Sequence, residues 1–171
     1  IQRAGLQKEN SLAARTQSIS FRGEGPEEID LDKPLSSQFS AEDKVRLWQS
    51  LTQQGSGNGD VGALSFVYEQ IKKEIEEAEK RGAKDNRLRM VIACSDGGYV
   101  GAEGEMRALA EELSKLKAVV VGMGLTETAA SVPVVLHNPP WSQGDIAKSI
   151  DDLPALVAKH VVLEAIKLFP E

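Results

Sequence analysis

The order of hydrophobic and polar residues in the first third of the chain predicts short strands and a helix. TQSISFRG at 16–23 alternates polar Ser18 and Ser20 with apolar Ile19 and Phe21, which is the two-residue period of a strand with one buried face. A weaker alternation through EEIDLDKPL at 27–35 predicts an edge strand. The opening segment, IQRAGLQKENSLAAR at 1–15, has a helical pattern without a recognisable N-cap.

Two helices follow in the central part of the chain. Ser40 and Asp43 form the pattern of a capping box, which predicts that a helix opens over AEDKVRLWQSLTQQ at 41–54. A longer helix is predicted over 61–81, where apolar residues recur every three or four positions and the opposite side carries pairs of opposite charge. Gly82 is expected to end it, since glycine tolerates the backbone conformation found after a helix C-terminus.

Two uninterrupted apolar segments come next, and they are typical of buried parallel strands. These are RLRMVIAC at 87–94 and KAVVVGMG at 117–124. The intervening AEGEMRALAEELSKL at 102–116 has the period of a helix. The resulting rhythm of strand, helix, strand and helix predicts an α/β fold. Its expected form is three layers, with a mainly parallel, doubly wound sheet flanked by helices.

The remainder of the chain is harder to interpret from pattern alone. Thr, Ser, Pro and Asn are frequent between 125 and 144, so this stretch is predicted to be a loop with at most one short strand, VPVVL at 132–136. AKSI at 147–150 is a candidate for a last short strand, and Asp151 or Asp152 is a candidate cap for a terminal helix.

Composition narrows the class of protein. With 171 residues, of which 41% are hydrophobic and 27% charged, the chain suits a single domain over 1–171. The net charge is -6, and the acidic residues are interspersed with lysines and arginines. The sequence therefore has no basic stripe that would indicate nucleic-acid binding. The single cysteine, Cys94, cannot form an internal disulfide, and no apolar segment approaches the ~20 residues of a membrane span. These features favour a soluble, cytoplasmic protein.

Two loops combine an aspartate with several glycines where ligands usually bind in parallel sheets. They are GSGNGDVGAL at 55–64, which enters the long helix, and CSDGGYVG at 94–101, which leaves a buried strand. Oxygen donors without nearby His or Cys are typical ligands of Mg²⁺ or Mn²⁺. The alternative is structural, with Asp60 capping the long helix and Asp96 beginning a turn.

The same residues resemble the von Willebrand factor A (vWA) domain. The resemblance is carried by MVIACSDGG at the strand end, by GNGDVGALSFVYEQI at the helix entry, by KAVVVGMG and by the order of elements. It implies a metal-ion-dependent adhesion site, in which Asp96 matches the aspartate of the T/S-D-G turn and Asp60 falls in the second loop. Asn58 and Ser95 are the further expected metal ligands, and the helix entry looks similar to that of the bacterial, cobaltochelatase-type branch.

The resemblance also implies a function. It predicts a non-enzymatic protein- or ligand-binding module that holds Mg²⁺ or Mn²⁺ and takes the last metal ligand from an acidic residue of a protein partner. Bacterial members of this kind often act beside an AAA-type ATPase or a metal chelatase. Gly97 and Gly98, which leave room at the ion, and Trp141, in a loop expected near the rim, are predicted to contact the partner.

The sequence departs from the family pattern in two respects. No Asp-x-Ser-x-Ser motif occurs in the 171 residues, and Gly59 stands where the family has threonine before the second-loop aspartate. We therefore expect the domain to lack its first strand, the metal to bind weakly to this chain alone, and the gap to be filled by a segment from elsewhere or by oligomerisation. Two rival hypotheses remain: a small phosphotransfer or hydrolase domain that uses Asp96, and a scaffold whose metal site has decayed.

Overall fold

The computed structural model describes residues 15–21, 23, 29–52, 59–83, 85, 87, 89–141 and 143–168. The predicted helix over 1–15 lies outside the described residues except for Arg15. Asn58 also lies outside them. The elements, in chain order, are β1 (Thr16–Phe21), β2 (Ile29–Ser36), α1 (Ala41–Thr52), α2 (Asp60–Lys80), β3 (Arg89–Ser95), α3 (Glu103–Lys115), β4 (Ala118–Leu125), α4 (Val132–Val135), β5 (Ile146–Ala147) and α5 (Leu153–Leu168).

The described strands form two separate sheets. β3, β4 and β5 make a parallel sheet in that order, and β1 pairs with β2 as an antiparallel hairpin. The predicted α/β class with a parallel sheet flanked by helices is therefore confirmed. The single doubly wound sheet is not seen, because no described strand joins the hairpin to β3.

Helices cover both faces of the parallel sheet because the side chains of β4 alternate between them. Val120 packs in a core with residues of α2, α3 and α4. Val119, Val121 and Met123 point to the opposite face, where apolar residues of the first half of α5 cover them. This two-sided burial explains why β4 has no polar side chain from Ala118 to Gly124.

The hairpin is held to α1 by a buried carboxylate. Asp32 on β2 is 1% exposed and accepts hydrogen bonds from the hydroxyls of Ser18, Ser20 and Ser50. Arg46 Nε also donates to the Asp32 carbonyl oxygen at 3.1 Å. The serines that mark the polar side of β1 in the sequence thus face a protein hydrogen-bond network, which satisfies an otherwise costly buried charge.

The predicted capping box at the start of α1 is confirmed. The backbone N–H of Asp43 donates to Ser40 Oγ at 3.1 Å, and the backbone N–H of Ser40 donates to Asp43 Oδ2 at 2.7 Å. These bonds satisfy backbone donors that a helix N-terminus would otherwise leave free.

Two predictions for the last third of the chain are corrected. VPVVL does not form a strand: α4 occupies Val132–Val135, and its proline lies in the first turn, where a missing N–H does no harm. The prediction that Asp151 or Asp152 caps the entry to a terminal helix is, by contrast, confirmed for Asp152, which forms a capping box with Ser149 around a single 3₁₀ turn before α5 begins. The last strand, β5, is placed at Ile146–Ala147 and overlaps the predicted AKSI only at its first residue.

Gly59 fixes the N-terminus of α2 against the end of the hairpin. A Cβ at this position would overlap the carbonyl oxygen of Gly23 and approach Phe21 Cδ2 to 3.4 Å. The close approach is possible only without a side chain. This contact explains why position 59 is a glycine.

We predict that Gly59→Ala lowers the free energy of unfolding by about 1–3 kcal/mol, because the added methyl group must push two backbone segments apart. Gly104→Ala in α3 is the matched control. No heavy atom lies within 4 Å of its added Cβ, and alanine should stabilise the helix by about 0.5–1 kcal/mol. Urea unfolding of the two variants measures both effects, and equal stabilities would contradict the packing role of Gly59.

Candidate functional site

Asp60 and Ser95 lie together at the carboxyl end of β3. Asp60 is the first residue of α2, and Ser95 is the last residue of β3. Their exposed fractions are only 6% and 7%. The N-cap of α2 is Gly59, so Asp60 does not occupy the capping position that the structural alternative gave it. The Asp60 carboxylate nevertheless accepts a hydrogen bond from its own backbone N–H in the first turn of α2, so it also has a structural role at the helix N-terminus.

Asp96 adds a second carboxylate beside the first. Burial raises the pKa of the Asp60 carboxyl, the hydrogen bond with the Ser95 hydroxyl opposes this rise, and the negative charge of Asp96 adds to it. Asp96 itself is exposed. The structure therefore brings Asp60, Ser95 and Asp96 into one site with a buried acid, a hydroxyl and a solvent-facing acid.

The loop after β4 closes over the turn that carries Asp96. Thr128 Oγ1 donates to the Asp96 carbonyl oxygen at 2.9 Å, and the hydroxyls of Thr126 and Thr128 are 2.8 Å apart. A Cβ added to Gly98 would lie 3.0 Å from Ser131 Oγ, so glycine permits the close contact. Sequence reasoning missed these three hydroxyls. The available signal was the cluster of Thr and Ser in TETAAS, directly after the second buried strand.

Tyr99 is a further residue that sequence reasoning did not single out. It is 2% exposed, and its hydroxyl has no hydrogen-bond partner among the described residues. Burial, together with the nearby charge of Asp60, raises the pKa of Tyr99. The tyrosine is therefore a neutral buried neighbour of the Asp60 carboxylate.

Trp141 lies apart from this cluster. Its side chain packs on the face of β4 that α5 covers, and its Nε1 donates to Ser114 Oγ at 3.4 Å near the end of α3. Since α3 starts at the Asp96 end of the sheet and finishes at the other, this contact places Trp141 away from Asp96. Gly97 and Gly98 are half-buried beside Asp96. Asn58 lies outside the described residues.

The donor set at the strand end has the chemistry of a weak site for a hard cation. It consists of two carboxylates with neighbouring hydroxyls, and oxygen donors of this kind suit Mg²⁺ or Mn²⁺. Within the described part of the chain, no cluster of three or more His, Cys, Asp or Glu side chains is placed to hold a metal. An ion held here by the protein alone would keep several water ligands.

Cys94, next to this site, is half-buried, and burial raises the pKa of its thiol. The thiolate form needed for nucleophilic attack is therefore disfavoured.

Comparison with known protein families, with curated proteins and with solved structures gives no match for this chain. Among the helices of the described residues, none has both the length and the apolar composition needed to cross a bilayer. The functional argument therefore depends on the geometry of the site.

We predict that Asp60→Asn raises the free energy of unfolding at pH 7. The raised pKa means that the folded state binds a proton more tightly than the unfolded state. The ionised Asp60 therefore destabilises the fold in full above its folded-state pKa. The penalty declines as the pH falls through that value and is gone below the ordinary pKa of 3.8. Asparagine lacks the charge at every pH, so the stability advantage of the variant should shrink at low pH.

Denaturant titrations between pH 4 and 8 measure this difference. Asp96→Asn is the matched control and should change stability little, because Asp96 is exposed. A loss of stability in Asp60→Asn at pH 7 would show that the ionised carboxylate supports the fold, and the prediction would be wrong.

Proposed function

We propose that this chain is a vWA-like, non-enzymatic binding module that recognises a protein partner through a divalent cation at Asp60, Ser95 and Asp96. The observation that carries the proposal is the buried Asp60 carboxylate placed beside Asp96 at the end of a parallel strand. Burying one acid next to another destabilises a fold, so it indicates a role other than stability. A cation would compensate both charges.

Each residue has a distinct part in this proposal. Asp60 and Asp96 would hold the ion as anionic oxygen ligands, and Ser95 would add a neutral oxygen or orient the Asp60 carboxylate. Gly98 allows the Thr126 to Ser131 loop to pack closely on the turn, and Gly97 adds no side chain next to Asp96, which stays exposed to a partner. When bound, Mg²⁺ or Mn²⁺ supplies a positive charge that accepts a carboxylate oxygen from the partner.

The partner proposed is a protein with an exposed Asp or Glu, such as a subunit of an AAA-type ATPase or a chelatase. The exposure of Asp96 supports this choice, since a partner carboxylate can reach the site from solvent. The hydroxyls of Thr126 and Thr128 hold the turn in place, since Thr128 donates to the Asp96 carbonyl oxygen and Thr126 pairs with Thr128. The partner carboxylate would thus bind through the ion.

We predict that the chain binds Mn²⁺ weakly and that Asp60→Ala and Asp96→Ala each reduce affinity at least about tenfold, or ~1.4 kcal/mol. The reason is that each variant removes one of two anionic ligands. Isothermal titration calorimetry of the full chain measures the affinity. Asp151→Ala is the matched control, because it removes an exposed carboxylate from the 3₁₀ turn before α5.

Equal Mn²⁺ affinity in all four proteins would contradict the proposed site. Absence of binding at millimolar Mn²⁺ would instead favour the decayed scaffold. A mass increase after incubation with acetyl phosphate, lost in Asp96→Ala, would support the phosphotransfer alternative.

We also predict that Mn²⁺ affinity increases with pH across the titration of Asp60. The metal binds the ionised carboxylate, and the pKa of Asp60 is raised above the ordinary 3.8, so protons compete at higher pH than for an exposed aspartate. Calorimetric titrations between pH 4.5 and 7.5 test this trend. An affinity that does not change over this range would show that Asp60 does not bind the metal.

A further inference from the structure

Tyr99 places a polar atom inside an apolar core. Its side chain is 2% exposed and belongs to the core cluster that contains Leu64 and Met106. The hydroxyl oxygen is buried and has no hydrogen-bond partner among the described residues. Such a hydroxyl destabilises a fold, because folding removes the water to which it was bound and supplies no replacement. The hydroxyl of Tyr99 therefore requires a partner.

The Tyr99 side chain lies close to the carboxylate of Asp60. Burial and the charge of Asp60 both raise the pKa of the tyrosine. The packing agrees with this placement, since Leu64, which shares a core with Tyr99, follows Asp60 by one turn on the same side of α2. No direct hydrogen bond joins the two side chains within the described structure. A neutral donor and a buried carboxylate thus lie near each other at the entry to α2.

The Asp60 carboxylate can accept a further hydrogen bond. Its two oxygens offer about four acceptor positions. The donors that favour its charge are the Ser95 hydroxyl and the backbone N–H of Asp60 itself. The Ser95 hydroxyl also donates to the Gly97 carbonyl oxygen at 3.1 Å, so its single proton is divided between two acceptors. The buried acid is therefore only partly compensated, and the nearby phenol has a proton to donate.

We propose that Tyr99 is a positioning residue of the acidic site, and that one buried water molecule joins its hydroxyl to the Asp60 carboxylate. The water accepts a hydrogen bond from the phenol and donates one to the carboxylate. The oxygen of Ser95, which is 7% exposed beside Asp60, accepts the second proton of the water. This gives the water the ~3 hydrogen bonds that buried waters typically make. The bridge holds the carboxylate in one orientation and compensates part of its charge.

The bridge has a consequence for metal binding, and this consequence rests on the proposed function. A residue that orients a metal ligand raises the affinity for the ion without touching it. Tyr99 would orient Asp60 from the buried side of the site, whereas Asp96 faces solvent. The bridge itself depends only on Tyr99, Asp60 and Ser95, so it can be tested without metal.

A double-mutant cycle of Tyr99→Phe and Asp60→Ala tests the bridge in the metal-free full chain. Tyr99→Phe should raise the equilibrium constant of unfolding about threefold or more in the wild type, because it removes the donor. It should not raise this constant in the Asp60→Ala background, where the acceptor is already absent. Urea unfolding at pH 7 measures both effects.

Tyr68→Phe is the matched control for the cycle. Tyr68 is a half-buried tyrosine packed against the same core, about two turns beyond Asp60 in α2. Its loss of a hydroxyl should have the same effect in both backgrounds. An effect of Tyr99→Phe that is equal in the two backgrounds overturns the proposal. A gain of stability in wild-type Tyr99→Phe also overturns it, since removal of a hydroxyl without a partner is favourable.

A crystal structure of the full chain tests the water directly. One water should lie within hydrogen-bond distance of Tyr99 Oη and of an Asp60 carboxylate oxygen. A Tyr99 hydroxyl without a water, or one bonded directly to Asp60, overturns the bridge.

Calorimetric Mn²⁺ titration of Tyr99→Phe tests the positioning role. The affinity should fall about tenfold although both carboxylates are retained, and it should be unchanged in Tyr68→Phe. Equal Mn²⁺ affinity in Tyr99→Phe and the wild type overturns this role. If the wild type itself binds no Mn²⁺, the proposed function fails, whereas the unfolding cycle and the crystal structure still decide the bridge.

Discussion

The contact of the first turn of α2 with the ends of β1 and β3 is the constraint on which the rest of the structure depends. Gly59 meets the backbone after β1, and Asp60 meets Ser95 at the end of β3. Among the described residues, this turn connects the hairpin to the parallel sheet at the end where ligands bind in α/β proteins. Position 59 must be glycine because a side chain there would clash with the backbone after β1, and Asp60 then places a carboxylate at the end of β3.

The charge at Asp60 links the site to the stability of the fold. A carboxylate that is desolvated and lies near a second acid has a raised pKa, and the folded protein carries that free-energy cost at neutral pH. Natural proteins retain such costs mainly at functional sites. The hydrogen bond with the Ser95 hydroxyl moderates this cost without removing the charge.

Much of the local structure follows from the sequence because its causes are local. The Ser40–Asp43 capping box, the alternating pattern of β1 and the apolar run of β4 each depend on residues within a few positions of one another, and the structure confirms them. The strand end at Ser95 and the helix entry at Asp60 were likewise predicted to within one residue.

Tertiary structure alone decided which distant segments meet. VPVVL has a strand-like composition, yet it is helical because it packs across β4 and has its proline in a first turn. Thr128 belongs to the site because its hydroxyl donates to the carbonyl oxygen of Asp96, 32 positions away. Trp141, which was predicted to lie near the rim of the site, packs instead on the face of β4 that α5 covers. By itself the sequence determined the class of fold and the acids at the strand end. The burial of Asp60 and the separation of the two sheets were decided by long-range packing, which no short-range pattern encodes.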